Sequence, residues 1–361
     1  MPHALAGDAI QNLHGRHDTK PGARVRANLV NARRRRIYSE LLPLAELGRD
    51  ETLRALVERE LELVVALWPS TLAETIPIAA RYLDRGGHVT LWPMLDDADG
   101  RWISVENVEP FASFVRVVAD QAGDVCRELL IDLEPPIGAM QRWLASPLRS
   151  FDKQPQRVFK AGRRALHKLL DELGARGIAR TAAVIPLCVY DQPGKPSWQR
   201  LLGTPVDELP FDTIHVMAYT TLFQGYSRGL LGRKDARQLL DELCVATQKK
   251  YGERGGISLG CTGVGALGDE QAYRALAELA EDLQHTRAAG LADVALFDLN
   301  GILRRDDAGA WLDQLARRDE PQAAAIDAVK ARPNSRRARI LAWLFAQSFG
   351  PASDDTDDLI D

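Results

Sequence analysis

Short apolar runs of strand length alternate with helix-length amphipathic stretches through most of the chain. Leu61-Glu-Leu-Val-Val-Ala-Leu-Trp68 is apolar almost throughout and stops at Pro69, the pattern of a strand buried on both faces. His88-Val-Thr-Leu-Trp92 stops the same way at Pro93, and Glu128-Leu-Leu-Ile-Asp132-Leu-Glu134 stops at Pro135-Pro136. Proline has no N–H to give a ladder, so each marks a strand end. Further strands are predicted over 181–190, 211–219, 257–262 and 293–300, with a first at 25–30. Between them, apolar residues at helical spacing predict helices near 41–57 (interrupted at Gly48), 71–83, 109–122, 158–174, 235–251 and 269–287.

Strand and helix in regular alternation call for a parallel sheet with helical crossovers. Eight such units in about 290 residues is the count of a closed (β/α)8, or TIM, barrel. An open doubly wound sheet is the other topology, and it carries a glycine-rich turn after its first strand. Here Asn31-Ala-Arg-Arg34 follows instead. The expected organisation is a polar arm over 1–22, the α/β barrel over 23–310, and a C-terminal helical extension over 311–361 that packs on the barrel and ends in an acidic tail.

Composition narrows the function classes. The chain has 361 residues, 45% hydrophobic and 27% charged, with a formal net charge of -4. That balance offers no general attraction to nucleic acid or an anionic membrane. The runs Arg33–Arg36 and Arg336-Arg337-Ala338-Arg339 read as solvated helix faces. The four cysteines, Cys126, Cys188, Cys244 and Cys261, form no metal or disulfide spacing and read as small buried hydrophobes in a reducing compartment. The first 22 residues lack the apolar core of a signal peptide, and no run reaches the roughly 18 apolar residues of a membrane span. The expected location is the cytoplasm. Neither a cofactor nor an oligomeric state is indicated.

A barrel of this kind builds its active site from C-terminal strand ends and the loops that follow. That rule gathers Trp68, Trp92, Asp132, Glu134, Tyr190, Asp191, Tyr219, Thr262, Asp298 and Asn300, with Asp96, Asp97, Asp99 and Trp102 from the loop after strand three. Aromatic faces stack on sugar rings, and paired carboxylates supply acid and stabilising charge for glycosidic cleavage. Asp132 and Glu134 are two apart on a strand, so they share a face. Close carboxylates raise one pKa and keep one proton near neutrality.

The segment Leu130-Ile-Asp132-Leu-Glu134-Pro-Pro136 resembles the end of the DxxDxDxE signature of family 18 glycoside hydrolases, the chitinase-like barrels. His215-Val-Met217-Ala-Tyr219 resembles that family's M-x-Y segment on strand six, and Ala295-Leu-Phe-Asp298-Leu-Asn300 its strand-eight segment. The resemblance implies Glu134 as general acid, Asp132 as the residue that orients a substrate acetamido group, and Tyr219 as an aid to the same intermediate. It spans strands four, six and eight in order. Arg127 and Leu130 stand where the signature has its first two acids, Thr220 where an Asp follows the Tyr, and Asp298 near the usual strand-eight Trp. The chain therefore resembles a divergent member.

The expected function is cleavage of a glycosidic bond in an oligosaccharide or glycoconjugate. Glu134, Asp132, Tyr219 and Asp298 form the catalytic set, and Trp68, Trp92, Trp102, Tyr190, Asp191 and Asn300 hold a carbohydrate substrate. Two alternatives stay open: a magnesium-type lyase, isomerase or phosphodiesterase using Asp132, Glu134, Asp298 and Asp191 as oxygen ligands, and a non-catalytic carbohydrate-binding barrel. His215 reads as a buried, hydrogen-bonded histidine inside strand six. The glycine-rich stretch 260–268 reads as a flexible loop rather than a phosphate cradle.

Overall fold

The computed structural model of the chain describes residues 33–145, 154–227 and 229–330. Eight parallel strands close into a barrel in sequence order. They are β1 (Arg35–Ser39), β2 (Glu62–Leu67), β3 (His88–Pro93), β4 (Glu128–Leu133), β5 (Ala179–Val184), β6 (Thr213–Met217), β7 (Gly255–Gly260) and β8 (Asp293–Phe297). The described helices are α1 (Leu44–Leu47), α2 (Asp50–Val57), α3 (Leu72–Asp84), α4 (Val108–Ala122), α5 (Ile137–Ala145), α6 (Gln156–Ala175), α7 (Ser197–Leu202), α8 (Thr220–Tyr226), α9 (Arg233–Tyr251), α10 (Leu276–Ala288), α11 (Leu299–Leu303), α12 (Ala308–Ala316) and α13 (Ala323–Lys330). α12 and α13 pack against α10. No described helix is long and apolar enough to cross a membrane. All four cysteines are free and buried.

The pleat sorts each strand's side chains into two cores. Residues such as Ile37, Leu63, Leu91, Ile131 and Val184 point outward and meet the helices in one large cluster. Tyr38, Val64, Ala66, Trp92, Leu130, Ala183 and Ala295 point inward and form a second. Each barrel strand is buried on both faces, and this is why the sequence pattern shows near-continuous apolar runs there.

The first strand differs from the expected one. The candidate over 25–30 lies outside the described residues. The barrel is closed by Arg35–Ser39, paired in parallel with β2 and β8. The run Arg33–Arg36 is therefore no solvated helix face: Arg34, Arg35 and Arg36 are only 3%, 1% and 0% exposed. A charge is buried at tolerable cost only when counter-ions or hydrogen-bond acceptors come with it. Neighbouring strands provide carboxylates to Arg34 and Arg36, while Arg35 donates to the main-chain carbonyls of Arg34, Ala292 and Arg317. Arg34 pairs with Glu62 and Glu128. Arg36 pairs with Glu128 and Asp293, each at 2.7 Å. Thr181 Oγ1 donates to Glu128. This ionic layer fills the N-terminal end of the barrel.

A polar column rises from that layer. His215 Nε2 lies 3.1 Å from Asp293 Oδ1, and its Nδ1 lies 3.3 Å from Ser258 Oγ, which is 3.1 Å from the Tyr38 hydroxyl. Gly256 makes room for the ring, because a Cβ there would stand 2.6 Å from His215 Nε2. His215 is thus a buried interior residue of β6, as expected. The helix expected over 269–287 begins only at Leu276. Asp269 and Glu270 belong to the preceding loop, where the Glu270 carboxylate accepts N–H bonds from Gly265 and Leu267.

Candidate active site

β4 carries the central pair. Asp132 is an inward residue near its end and is 4% exposed. Glu134 follows the last strand residue, is half-buried, and is followed by Pro135-Pro136 and α5. The two carboxyl groups are in contact, and the Trp92 indole N–H faces Asp132. Neither Trp92 Nε1 nor Asp132 Oδ1 completes a hydrogen bond of ordinary geometry. Burial, then the Glu134 and Glu40 charges, hold the Asp132 carboxyl well above its usual range. Burial, then the charge of Glu40, pushes Glu134 up to about 8. Two buried carboxyls in contact cannot both ionise cheaply, so the pair carries a proton at neutral pH.

Tyr219 follows β6 and opens α8. Its ring stacks on Phe297 of β8, centroids 6.0 Å apart. Phe297 in turn meets Tyr38 at 6.1 Å, and Tyr38 meets Trp92 edge-on at 5.2 Å. The Tyr219 hydroxyl is held well above its usual pKa by burial, with Tyr38, Cys261, Asp132 and Glu134 adding to the effect. It is therefore a neutral hydrogen-bond donor near the acid pair. The aromatic chain Tyr219–Phe297–Tyr38–Trp92 floors the site across β6, β8, β1 and β3.

The other expected residues divide. Trp68 is half-buried at the end of β2, with Thr71 Oγ1 accepting its main-chain N–H at 3.0 Å, and packs against the interior cluster. Trp92 and Trp102 are 3% and 6% exposed, so they act here as interior packing and offer little open ring surface. Asp298 is fully buried and caps α11: its Oδ1 accepts the Gly301 N–H at 3.0 Å, while Oδ2 has no partner among the described residues. Burial lifts Asp298 to about 6 against those N–H bonds. Asn300 is half-buried one residue into α11.

Tyr190 and Asp191 are not brought to the pair. The β5 strand stops at Val184, and a 3-10 turn over Pro186–Tyr190 carries the chain away from the mouth. Asp191 instead accepts the main-chain N–H groups of Trp198 and Gln199 at 2.8 and 3.0 Å, at the start of α7. It also accepts Gln199 Nε2 at 3.1 Å. Its carboxylate is consumed by a helix N-terminus. Tyr190 is 40% exposed, beside the charge of Glu242 on α9. The oxygen-ligand set of the metal alternative is thereby broken up. Among the described residues no three His, Cys, Asp or Glu side chains are grouped to hold a metal ion.

Two residues were missed by sequence reasoning. Glu40 stands one residue past β1, with its side chain 3% exposed, and Arg101 from the β3–α4 loop pairs with it at 2.8 Å. The alternation Arg36, Tyr38, Glu40 was legible, but only once β1 is placed at Arg35–Ser39. The glycine-rich stretch 260–268 is braced from within by Glu270, which uses the amides of Gly265 and Leu267 that an anion would otherwise bind.

No family model matches this chain, and no curated protein sequence matches it. The fold recurs among solved structures. A GH5_18 protein of Bifidobacterium longum subsp. longum ATCC 55813 aligns with a TM-score of 0.53 and 11% identity, covering 88% of this chain and 91% of that one. A variant of the same protein in complex with Manb1-4GlcNAc aligns at 0.52 and 12% identity, covering 88% and 89%. A GH18 chitinase from Cycas revoluta in complex with (GlcNAc)3 aligns at 0.45 and 13% identity, covering 78% and 98%. At such identities the likeness is one of fold: this chain shares the TIM barrel.

Proposed function

We propose that the chain hydrolyses a glycosidic bond in an oligosaccharide or glycoconjugate, with Glu134 as general acid/base. The observation that carries this reading is the desolvated Asp132–Glu134 contact at the end of β4, close to the neutral hydroxyl of Tyr219. A general acid must hold its proton at working pH, and burial with the neighbouring charge of Glu40 gives Glu134 that property. In the first step Glu134 donates its proton to the glycosidic oxygen as the C–O bond breaks. In the second, the resulting carboxylate takes a proton from the water that attacks the anomeric carbon, which restores the acid.

Asp132 touches Glu134, so it does not stand across a sugar ring from it. A retaining enzyme with a protein nucleophile keeps its two carboxyls about 5–5.5 Å apart, and an inverting one about 6.5–9.5 Å. A pair in contact suits neither arrangement. It suits a nucleophile carried by the substrate, such as the oxygen of a 2-acetamido group, with Asp132 orienting that group and Tyr219 donating a hydrogen bond to it. Of the three indoles Trp68, Trp92 and Trp102, Trp68 is the one with open surface for a sugar face.

The test is turnover of a glycan panel that includes N-acetylhexosamine oligomers, by native protein and by Glu134→Gln. Loss of roughly 10²–10⁴-fold in the variant is expected. Equal activity in both proteins would remove Glu134 from the mechanism. A non-catalytic carbohydrate-binding barrel is the second reading, favoured by Leu130, fully buried directly below Asp132 in the interior. It predicts calorimetric binding of a glycan with no product after prolonged incubation.

A further inference from the structure

Glu40 continues the inward face of β1. Tyr38 points into the barrel, and two residues on Glu40 shares its side of the pleat. A carboxylate at 3% side-chain exposure needs a partner, and Arg101 Nη1 provides it at 2.8 Å. Arg101 sits in the left-handed region (φ 60), next to Gly100 at φ 103. Its Nε also binds Asp97 Oδ1 at the surface, at 2.6 Å. Two residues later the Ile103 N–H donates to the Asp132 carbonyl at 2.9 Å. The loop that delivers the counter-ion of Glu40 is thus hydrogen-bonded to the main chain of the acid pair.

We propose that Glu40 is a positioning residue of this site: an anion fixed by Arg101 beside Asp132 and Glu134, which holds the proton on that pair. The proposal rests on Glu134 being the proton donor. The titratable and charged groups around it are Tyr38 and Glu40 from β1, Arg101 and Asp97 from the β3–α4 loop, and Asp132 from β4. Tyr219 after β6, Cys261 and Glu270 after β7, and Asp298 after β8 complete the set. Arg101 is the cation in this set, and it bonds Glu40 rather than either member of the pair. Charge therefore settles on Glu40 first. Burial raises Glu40 only to about 7 against the pull of Arg101, and its negative charge in turn raises Asp132 and Glu134.

A merely structural tie between the β3–α4 loop and β1 predicts lower stability on substitution and no change in how Glu134 titrates. The deciding measurement is a carboxyl-carbon NMR titration of full-length protein labelled at glutamate, with the Glu134 signal assigned by its absence in Glu134→Gln. In Glu40→Gln the Glu134 midpoint is expected to fall by about one pH unit, and the ratio of kcat at pH 8 to kcat at pH 6 to fall about fivefold. A folded Glu40→Gln protein with an unmoved Glu134 midpoint overturns the proposal. If Glu40→Gln does not fold, Arg101→Met is read instead: the Glu40 midpoint should rise by about one unit or more, and no rise overturns the proposal. The titration needs no substrate, so the two readings fail separately. A shifted midpoint in a protein that cleaves no glycan removes the hydrolase and leaves the electrostatic role of Glu40.

Discussion

Arg36 on β1 and Asp293 on β8 form a two-point contact, Nε to Oδ1 at 2.9 Å and Nη2 to Oδ2 at 2.7 Å, across the seam where the barrel closes. The Arg36 side chain is fully buried. The same guanidinium reaches Glu128 on β4 and Thr90 on β3, so one side chain ties four strands together. Removing one member of such a layer leaves the others as uncompensated buried charges. Arg36→Met is therefore expected to cost about 3–5 kcal/mol, measured by denaturant unfolding. A loss below about 1 kcal/mol would show that the layer is solvated or easily rearranged.

Stability should respond to pH through two opposed groups of acids. The buried arginines hold Glu128 and Asp293 below their usual range. The stability they contribute is present above the unfolded carboxylate pKa of about 4 and is lost as pH falls further. Glu134 and Glu40 are shifted the other way, to about 8 and about 7. Their folded forms retain protons that the unfolded chain has released, so they cost stability as pH rises from about 4.5 to about 8. Thermal midpoints should peak in mildly acid solution, and a flat profile from pH 5 to 9 would contradict the burial of these acids.

Glu134→Gln removes one of those costs. The variant should melt at least about 2 °C higher than the native protein at pH 9 and much closer to it at pH 5. A scan at both pH values separates this from a general packing effect, which would move both midpoints alike.

Gly301 sets the distance between α11 and the end of β7. A Cβ there would meet the main-chain nitrogen of Gly263 at 2.3 Å and the carbonyl carbon of Thr262 at 2.4 Å. Main chain cannot yield as a side-chain tip does. Gly301→Ala should cost about 1–3 kcal/mol and disturb the Asp298 cap, whose Oδ1 bonds the Gly301 N–H. Melting temperature and denaturant midpoint check this, and a neutral result would mean the two loops separate freely.

The two indoles at neighbouring strand ends should separate by phenotype. Trp92 is packed against Tyr38 at 5.2 Å and is nearly inaccessible, so Trp92→Ala is expected to lose about 3–5 kcal/mol of stability. Half-buried Trp68 should cost less on truncation and instead raise KM for a glycan that turns over. Equal melting temperatures for the two variants would contradict this division.

The alternation of apolar runs and amphipathic stretches by itself determined the barrel, because strands covered on both faces are mostly apolar along their length. It also placed Asp132 and Glu134 on one strand end and Tyr219 on another, since strand ends are marked locally by charge and proline. It misplaced the first strand. Arg35-Arg-Ile-Tyr-Ser39 looks solvated until Glu62, Glu128 and Asp293 are brought beside it, and those partners lie up to 257 residues away. The same cause hid Glu40, which becomes an inward residue only when β1 is in register with β2. It also misassigned Asp191, whose partners are the amides of a short helix that turns away from the mouth. Local pattern determines which segments are strands, whereas the fate of a charge depends on counter-ions and amides that only the closed barrel assembles.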